Sequence, residues 1–149
     1  MKRKILLVGG AGFIGHNLAV LLKKKKQDVI VADNLKVNSL NFIRKEIKDK
    51  NKKKLYNSFI EERLKLLKKN KVLFKKIDAQ NKKQLNNVVK KYRPDVLVHL
   101  AAVSHDGRSN KNPELAFNNS FKTLFNSLES AKDLKKIHFI FLSSSMVYG

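Results

Sequence analysis

Three glycines, one aspartate and a run of serines carry the chemistry legible in this sequence. Gly9, Gly12 and Gly15 stand in GGAGFIG, residues 9–15, between an apolar run, KILLV, and a helical pattern. A turn that admits φ > 0, a close approach of backbone to a pyrophosphate, and tight helix-to-strand packing each call for glycine, and a helix amino terminus stabilises phosphate charge. Asp33 follows 18 residues after Gly15 and ends a second apolar run, DVIVAD. A carboxylate there accepts hydrogen bonds from adenosine ribose hydroxyls and repels a 2′-phosphate, so the expected cofactor is NAD rather than NADP, with Lys36 close by. At residues 141–149, FLSSSMVYG brings three serines and a tyrosine to the carboxyl end of another strand pattern, where open α/β sheets bind ligands.

The elements that must position these residues alternate. Strand patterns fall at 4–8, 28–33, 72–78, 95–102 and 137–142. Between them, Phe13, Ile14, Leu18, Leu21 and Leu22 recur at helical spacing, as do Leu85, Val88, Val89 and Tyr92, whose helix must end before Pro94. Asn112 can cap a further helix with Pro113 at its first position and Glu114 in its first turn, carrying Leu115, Phe117, Phe121, Leu124, Phe125, Leu128 and Ala131. Near-continuous apolar strands alternating with helices predict a parallel sheet covered on both faces. Residues 36–70 exceed what one crossover needs. They read as an insertion of two helices, one on Leu40, Ile43 and Ile47 and one on Tyr56, Phe59, Ile60, Leu64 and Leu67, with the lysine-dense 48–54 as the loop between.

Two further strand ends have open readings. Asp78 is either an adenine contact or the cap of a helix over 80–92. Ala101 and Ala102, in HLAAVS, either let a cofactor lie against the backbone or pack sheet to helix. His99, flanked by apolar residues, reads as a buried, hydrogen-bonded side chain, and His16, His105 and His138 lack metal-ligand spacing.

Bulk properties bound the rest. At 149 residues the chain fits one domain, and with no cysteine it offers no disulfide, thiolate metal site or cysteine nucleophile. No apolar stretch approaches the roughly 20 residues of a membrane span, and the start makes a poor signal peptide, so the expected location is cytoplasmic. The formal charge is +21, from 28 Lys and 5 Arg against 12 acidic residues. Without a base-reading motif this charge reads as solvated lysine-rich faces, with weak nonspecific binding to nucleic acid as a consequence.

Together these residues resemble the extended short-chain dehydrogenase/reductases, the NAD-dependent epimerase/dehydratase group acting on nucleotide sugars. The resemblance covers GGAGFIG, Asp33 with Asn34, Asp78 with Ala79, PDVLVHLAA at 94–102, Asn119 with Thr123 in place of N-x-x-G-T, and SSSMVYG at 143–149. It implies a Rossmann-type doubly wound sheet in order 3-2-1-4-5 over residues 1–149. It places Gly9, Phe13 and Ile14 at the pyrophosphate, Asp33 and Asn34 at the ribose, Asp78 and Ala79 at the adenine, Ala101 and Ala102 at the cofactor's middle, and Asn119 and Ser144 near the nicotinamide. Ser144 matches the catalytic Ser/Thr position.

The family's base is a tyrosine in a YxxxK motif. Here Tyr56 is followed four places on by Ile60 and Tyr92 by Val96, while Tyr148 is penultimate. The expectation is an amino-terminal portion of such an enzyme, incomplete at the carboxyl-terminal side of the sheet, inactive alone, and part of a homodimer when complete. Two other readings share these residues: a noncatalytic NAD-binding module or sensor, and a polycation that binds nucleic acid through its lysine-rich insertion.

Overall fold

A computed structural model describes residues 1–36, 48–102 and 112–144. Five parallel strands form one sheet in the order β3-β2-β1-β4-β5. They are β1 Lys4–Val8, β2 Asp28–Asp33, β3 Leu73–Lys76, β4 Val96–His99 and β5 His138–Phe141. The last three are shorter than the apolar runs containing them, because pairing stops where the chain turns away at the sheet's carboxyl edge. The helices are α1 Phe13–Lys24, α2 Lys50–Lys69, α3 Lys82–Tyr92, α4 Pro113–Phe117 and α5 Thr123–Ala131, and a π-helical segment, Asn118–Lys122, joins the last two.

Side chains of successive strand residues point to opposite faces. Ile5, Leu7, Val29, Val31, Val96 and Val98 accordingly build one core layer with Ala19 of α1 and Leu67 of α2, while Leu6, Val8, Ile30, Ala32 and Leu97 build the other with Leu85, Val88 and Val89 of α3 and Ala131 of α5. Leu6, Leu7 and Leu97 have no exposed surface, and burying each such leucine stabilises the fold by about 1.5–3 kcal/mol. Both faces are therefore covered, as the apolar runs predict.

Two readings need correction. The lysine-dense 48–54 is not a loop: Asp49 caps α2 by accepting from the Lys52 amide at 2.8 Å, and Lys50 onward is helical. Asp78 does not cap the helix after β3, because Asn81 does, accepting from the Gln84 amide at 3.2 Å. In α1 the buried residues are Gly15, His16 and Ala19, while Phe13, Ile14 and Leu21 are exposed. The helix expected on Leu40, Ile43 and Ile47 lies outside the described residues, as do His105 and Tyr148. Among the described residues no helix is long and apolar enough to cross a membrane.

Candidate functional site

Because all five strands are parallel, their carboxyl ends share one edge. Gly9 follows β1, Asp33 ends β2, Asp78 follows β3, Ala101 follows β4 and Ser144 follows β5. The edge is where doubly wound sheets bind ligands.

The glycine turn fits a cofactor's diphosphate. Gly9 has φ +78°, and a Cβ there would lie 2.7 Å from the Ala101 nitrogen, so the chain after β4 closes directly on the turn. A Cβ on Gly15 would lie 2.5 Å from the Gly10 Cα, backbone against backbone. Gly10 was not singled out by the glycine spacing, yet a Cβ on it would meet the Leu7 Cβ at 2.8 Å, and the doubled glycine was its only signal. Gly12 is the N-cap of α1 and supplies no side-chain acceptor, and the first turn of α1 holds no acidic residue. Its first-turn amides are thus open to an anion. Phe13 and Ile14 border the turn with 70% and 58% of their surface exposed.

Asp33 ties this turn to β2. Its Oδ2 accepts from the Ala11 amide at 3.0 Å and its Oδ1 from the Leu35 amide at 2.8 Å. Burial raises its pKa above the ordinary carboxylate value, against the pull of the Leu35 and Ala11 amides. Each oxygen keeps a lone pair for a further donor such as a ribose hydroxyl.

Asn34, Lys36 and Asp78 form the next cluster. Asn34 Oδ1 accepts from the Lys36 amide at 2.9 Å, and Lys36 Nζ meets Asp78 Oδ2 at 2.7 Å. Asp78 Oδ1 also accepts from the Gln80 amide at 3.0 Å, and the Asp78 amide donates to Gln84 Oε1 at 2.9 Å. Burial pulls the Asp78 pKa up, but Lys36, the Gln80 amide and Asn34 together hold it below the ordinary value.

The Ala79–Gln80 turn is anchored from α5 and the π-helical segment. Asn126 Nδ2 donates to the Ala79 and Gln80 carbonyls, both at 2.9 Å, and Gln80 Nε2 donates to Asn119 Oδ1 at 2.9 Å. Asn119 is thereby joined to the turn after β3. Sequence reasoning missed Gln80 and Asn126, because a lone amide side chain carries no spacing signal. Thr123 Oγ1 lies 3.3 Å from the Ala101 carbonyl oxygen, so the same helix steadies the segment after β4. Ala101 is half-buried behind Gly9, while Ala102 and Ser144 are exposed.

His99 is 2% exposed, and its Nδ1 lies 3.0 Å from Ser127 Oγ. Burial lowers its pKa to about 4, against the Ala101 backbone, so it is neutral near pH 7. It serves as core, as its apolar flanks predict.

A sequence profile described as the NAD dependent epimerase/dehydratase family matches residues 5–149. The chain is 31% identical over 153 residues to the dTDP-D-glucose 4,6-dehydratase of Dictyostelium discoideum, covering 99% of this chain and 30% of that protein. It is 29% identical over 147 residues to a UDP-glucose 4-epimerase of Schizosaccharomyces pombe, covering 97% of this chain and 36% of that one. Among solved structures, the UDP-Glc/GlcNAc 4-epimerase of Campylobacter jejuni matches with a TM-score of 0.75 at 26% identity, over 99% of this chain and 39% of its own. Over the residues it covers, this chain shares the fold of that epimerase structure. The chain spans between 30% and 39% of the length of these three proteins.

Proposed function

The chain belongs to the NAD dependent epimerase/dehydratase family, and from that premise we propose that it forms the NAD-holding portion of an enzyme acting on a nucleotide sugar. The observation that carries the reading is the joint made by Asp33, whose two oxygens take the Ala11 amide of the glycine turn and the Leu35 amide beyond β2. This joint fixes an anion-binding helix terminus and a ribose-binding carboxylate relative to each other.

Gly9, Gly12, Gly15, Phe13 and Ile14 would border the diphosphate, Asp33 and Asn34 the ribose, and Asp78 and Ala79 the adenine. Ala101 and Ala102 would lie along the cofactor's middle, with Asn119 and Ser144 towards the nicotinamide. When bound, NAD would supply the hydride acceptor for oxidation of a sugar hydroxyl. The residues of this chain hold and orient: the amides of the α1 amino terminus offset diphosphate charge, and the Asp33 carboxylate accepts from hydroxyl groups. No tyrosine in this sequence is followed four places later by lysine, so the group that would take the sugar's proton is not among these residues, and no turnover is expected of them alone.

A homodimer belongs to the same proposal. It is supported by the outward Phe117, Phe121 and Phe125, which are 57%, 67% and 59% exposed.

Calorimetric titration of this chain with NAD tests the cofactor reading, and saturable binding is expected. Absence of binding at millimolar NAD would overturn it. Accumulation of reduced cofactor with UDP- or dTDP-sugars would show that a base is present and overturn the expected inactivity.

A further inference from the structure

Lys36 is one cation that the cofactor reading leaves without a role, and it lies within three residues of the carboxylate that would choose between NAD and NADP. Its placement is built. Leu35 has φ +60°, a left-handed conformation that a branched side chain rarely adopts. That turn hands the Leu35 amide to Asp33 Oδ1 at 2.8 Å and the Lys36 amide to Asn34 Oδ1 at 2.9 Å. The Ile77 amide meanwhile donates to the Asp33 carbonyl at 3.1 Å, which brings the chain after β3 alongside the end of β2. Lys36 Nζ closes the ring on Asp78 Oδ2 at 2.7 Å.

The two partners are unequal. Asp78 is 24% exposed at its side chain and fixed by the Gln80 amide, whereas the Lys36 side chain is 62% exposed. The carboxylate is the fixed member and the lysine is the member that could turn elsewhere.

Resting on the reading of this edge as an NAD site, we propose that Lys36 is a latent ligand for a 2′-phosphate and that Asp78, by engaging it, sets the preference for NAD together with Asp33. A 2′-phosphate beside Asp33 would meet Lys36 only if the ammonium left Asp78, and it would then face a second carboxylate with no counterion. Both consequences disfavour NADP. Asp78 is thus a specificity-determining residue, distinct from any contact it makes with the adenine, because NAD and NADP carry the same adenine and differ only at the 2′ position.

The ratio of the NADP and NAD dissociation constants isolates this effect. An exposed ion pair shifts an equilibrium by only a few fold, and loss of the carboxylate's own repulsion adds a similar factor. Asp78→Asn should therefore lower the Kd(NADP)/Kd(NAD) ratio by about tenfold in titrations of the whole chain at low salt. Adding Lys36→Met to Asp78→Asn should return the part owed to the freed ammonium, about threefold of that tenfold change. Should Asp78→Asn fail to give a cooperative melt, Asp78→Ser replaces it, since the serine hydroxyl can still accept from the Gln80 amide. An unchanged ratio in the single variant, or an equal change with Lys36 removed, would overturn the proposal while leaving NAD binding intact. Binding of neither cofactor by the unaltered chain would overturn the underlying NAD reading and the proposal together.

Discussion

Helices α3 and α5 pack against each other on the same face of the sheet, and they bury opposite chemistry. Helix α3 turns Leu85, Val88 and Val89 inward and its lysines outward. Helix α5 buries Thr123, Asn126, Ser127, Ser130 and Ala131, and with the segment before it leaves Leu115, Phe117, Phe121, Phe125 and Leu128 exposed. The apolar stripe is therefore the inner face of one helix and the outer face of the other.

Hydrogen bonds satisfy the buried Thr123, Asn126 and Ser127, and Ser130 Oγ has no partner among the described residues. A buried polar group without a partner costs about 1–3 kcal/mol, but Asn126 reaches two carbonyls, Ser127 donates to the Thr123 carbonyl at 2.8 Å and lies beside His99, and Thr123 Oγ1 lies 2.8 Å from the Asn119 carbonyl oxygen. The Asn126 bonds end on the segment after β3, at Ala79 and Gln80, and Thr123 Oγ1 also lies 3.3 Å from the Ala101 carbonyl oxygen on the segment after β4. The inverted helix thus positions the site, whereas α3 chiefly stabilises the core. Phe117 of α4, Phe121 of the π-helical segment and Phe125 of α5 together form an exposed apolar surface.

The sharpest break of this comparison is Leu85→Ala in α3. Leu85 is wholly buried, so truncation should cost about 3–4 kcal/mol in denaturant unfolding. A cost near zero would mean that α3 does not supply the core.

Next in size is the acid response of His99. Its pKa in the fold is about 4 against the ordinary 6.5. The unfolded chain therefore takes up a proton that the folded chain refuses between those values. The stability this contributes is present above about pH 6.5 and is lost as pH falls towards 4, by about 3 kcal/mol at most. His99→Asn should flatten that part of the profile, and an unaltered acid limb would show that His99 is not held neutral.

Asn126→Ala should cost about 1–2 kcal/mol, because it strips a donor from two carbonyls. It should also weaken NAD more than Leu85→Ala does at a temperature where both variants are folded, since its partners border the proposed adenine contact. The smallest effect belongs to Phe125→Ser, which should change stability by no more than about 0.5 kcal/mol. Light scattering should show less self-association, and a large loss of stability would instead place Phe125 in the core.

Much of this was legible in local pattern. The apolar runs gave β1, β2 and β4 because parallel strands buried on both faces do not alternate, and the edge strands β3 and β5 are only part-buried. The glycine turn was readable because φ +78° at Gly9 and the backbone contact at Gly15 exclude side chains. Asn112 capped its helix as its type predicts, accepting from the Leu115 amide at 2.8 Å. The lysine-dense 50–54 misled because its composition says exposed, and exposed lysines suit a helix as well as a loop.

The sequence by itself thus determined the alternation of elements, the turn that only glycine can make and the carboxylate at the end of β2. Each depends on backbone conformation or on spacing along one strand. The tertiary structure alone decided which face of α5 meets the sheet, that Lys36 turns to Asp78, and that Asn126 and Gln80 brace the chain after β3. Those outcomes rest on partners 39 to 47 residues apart, and a hydrogen bond between distant residues leaves no period in a sequence.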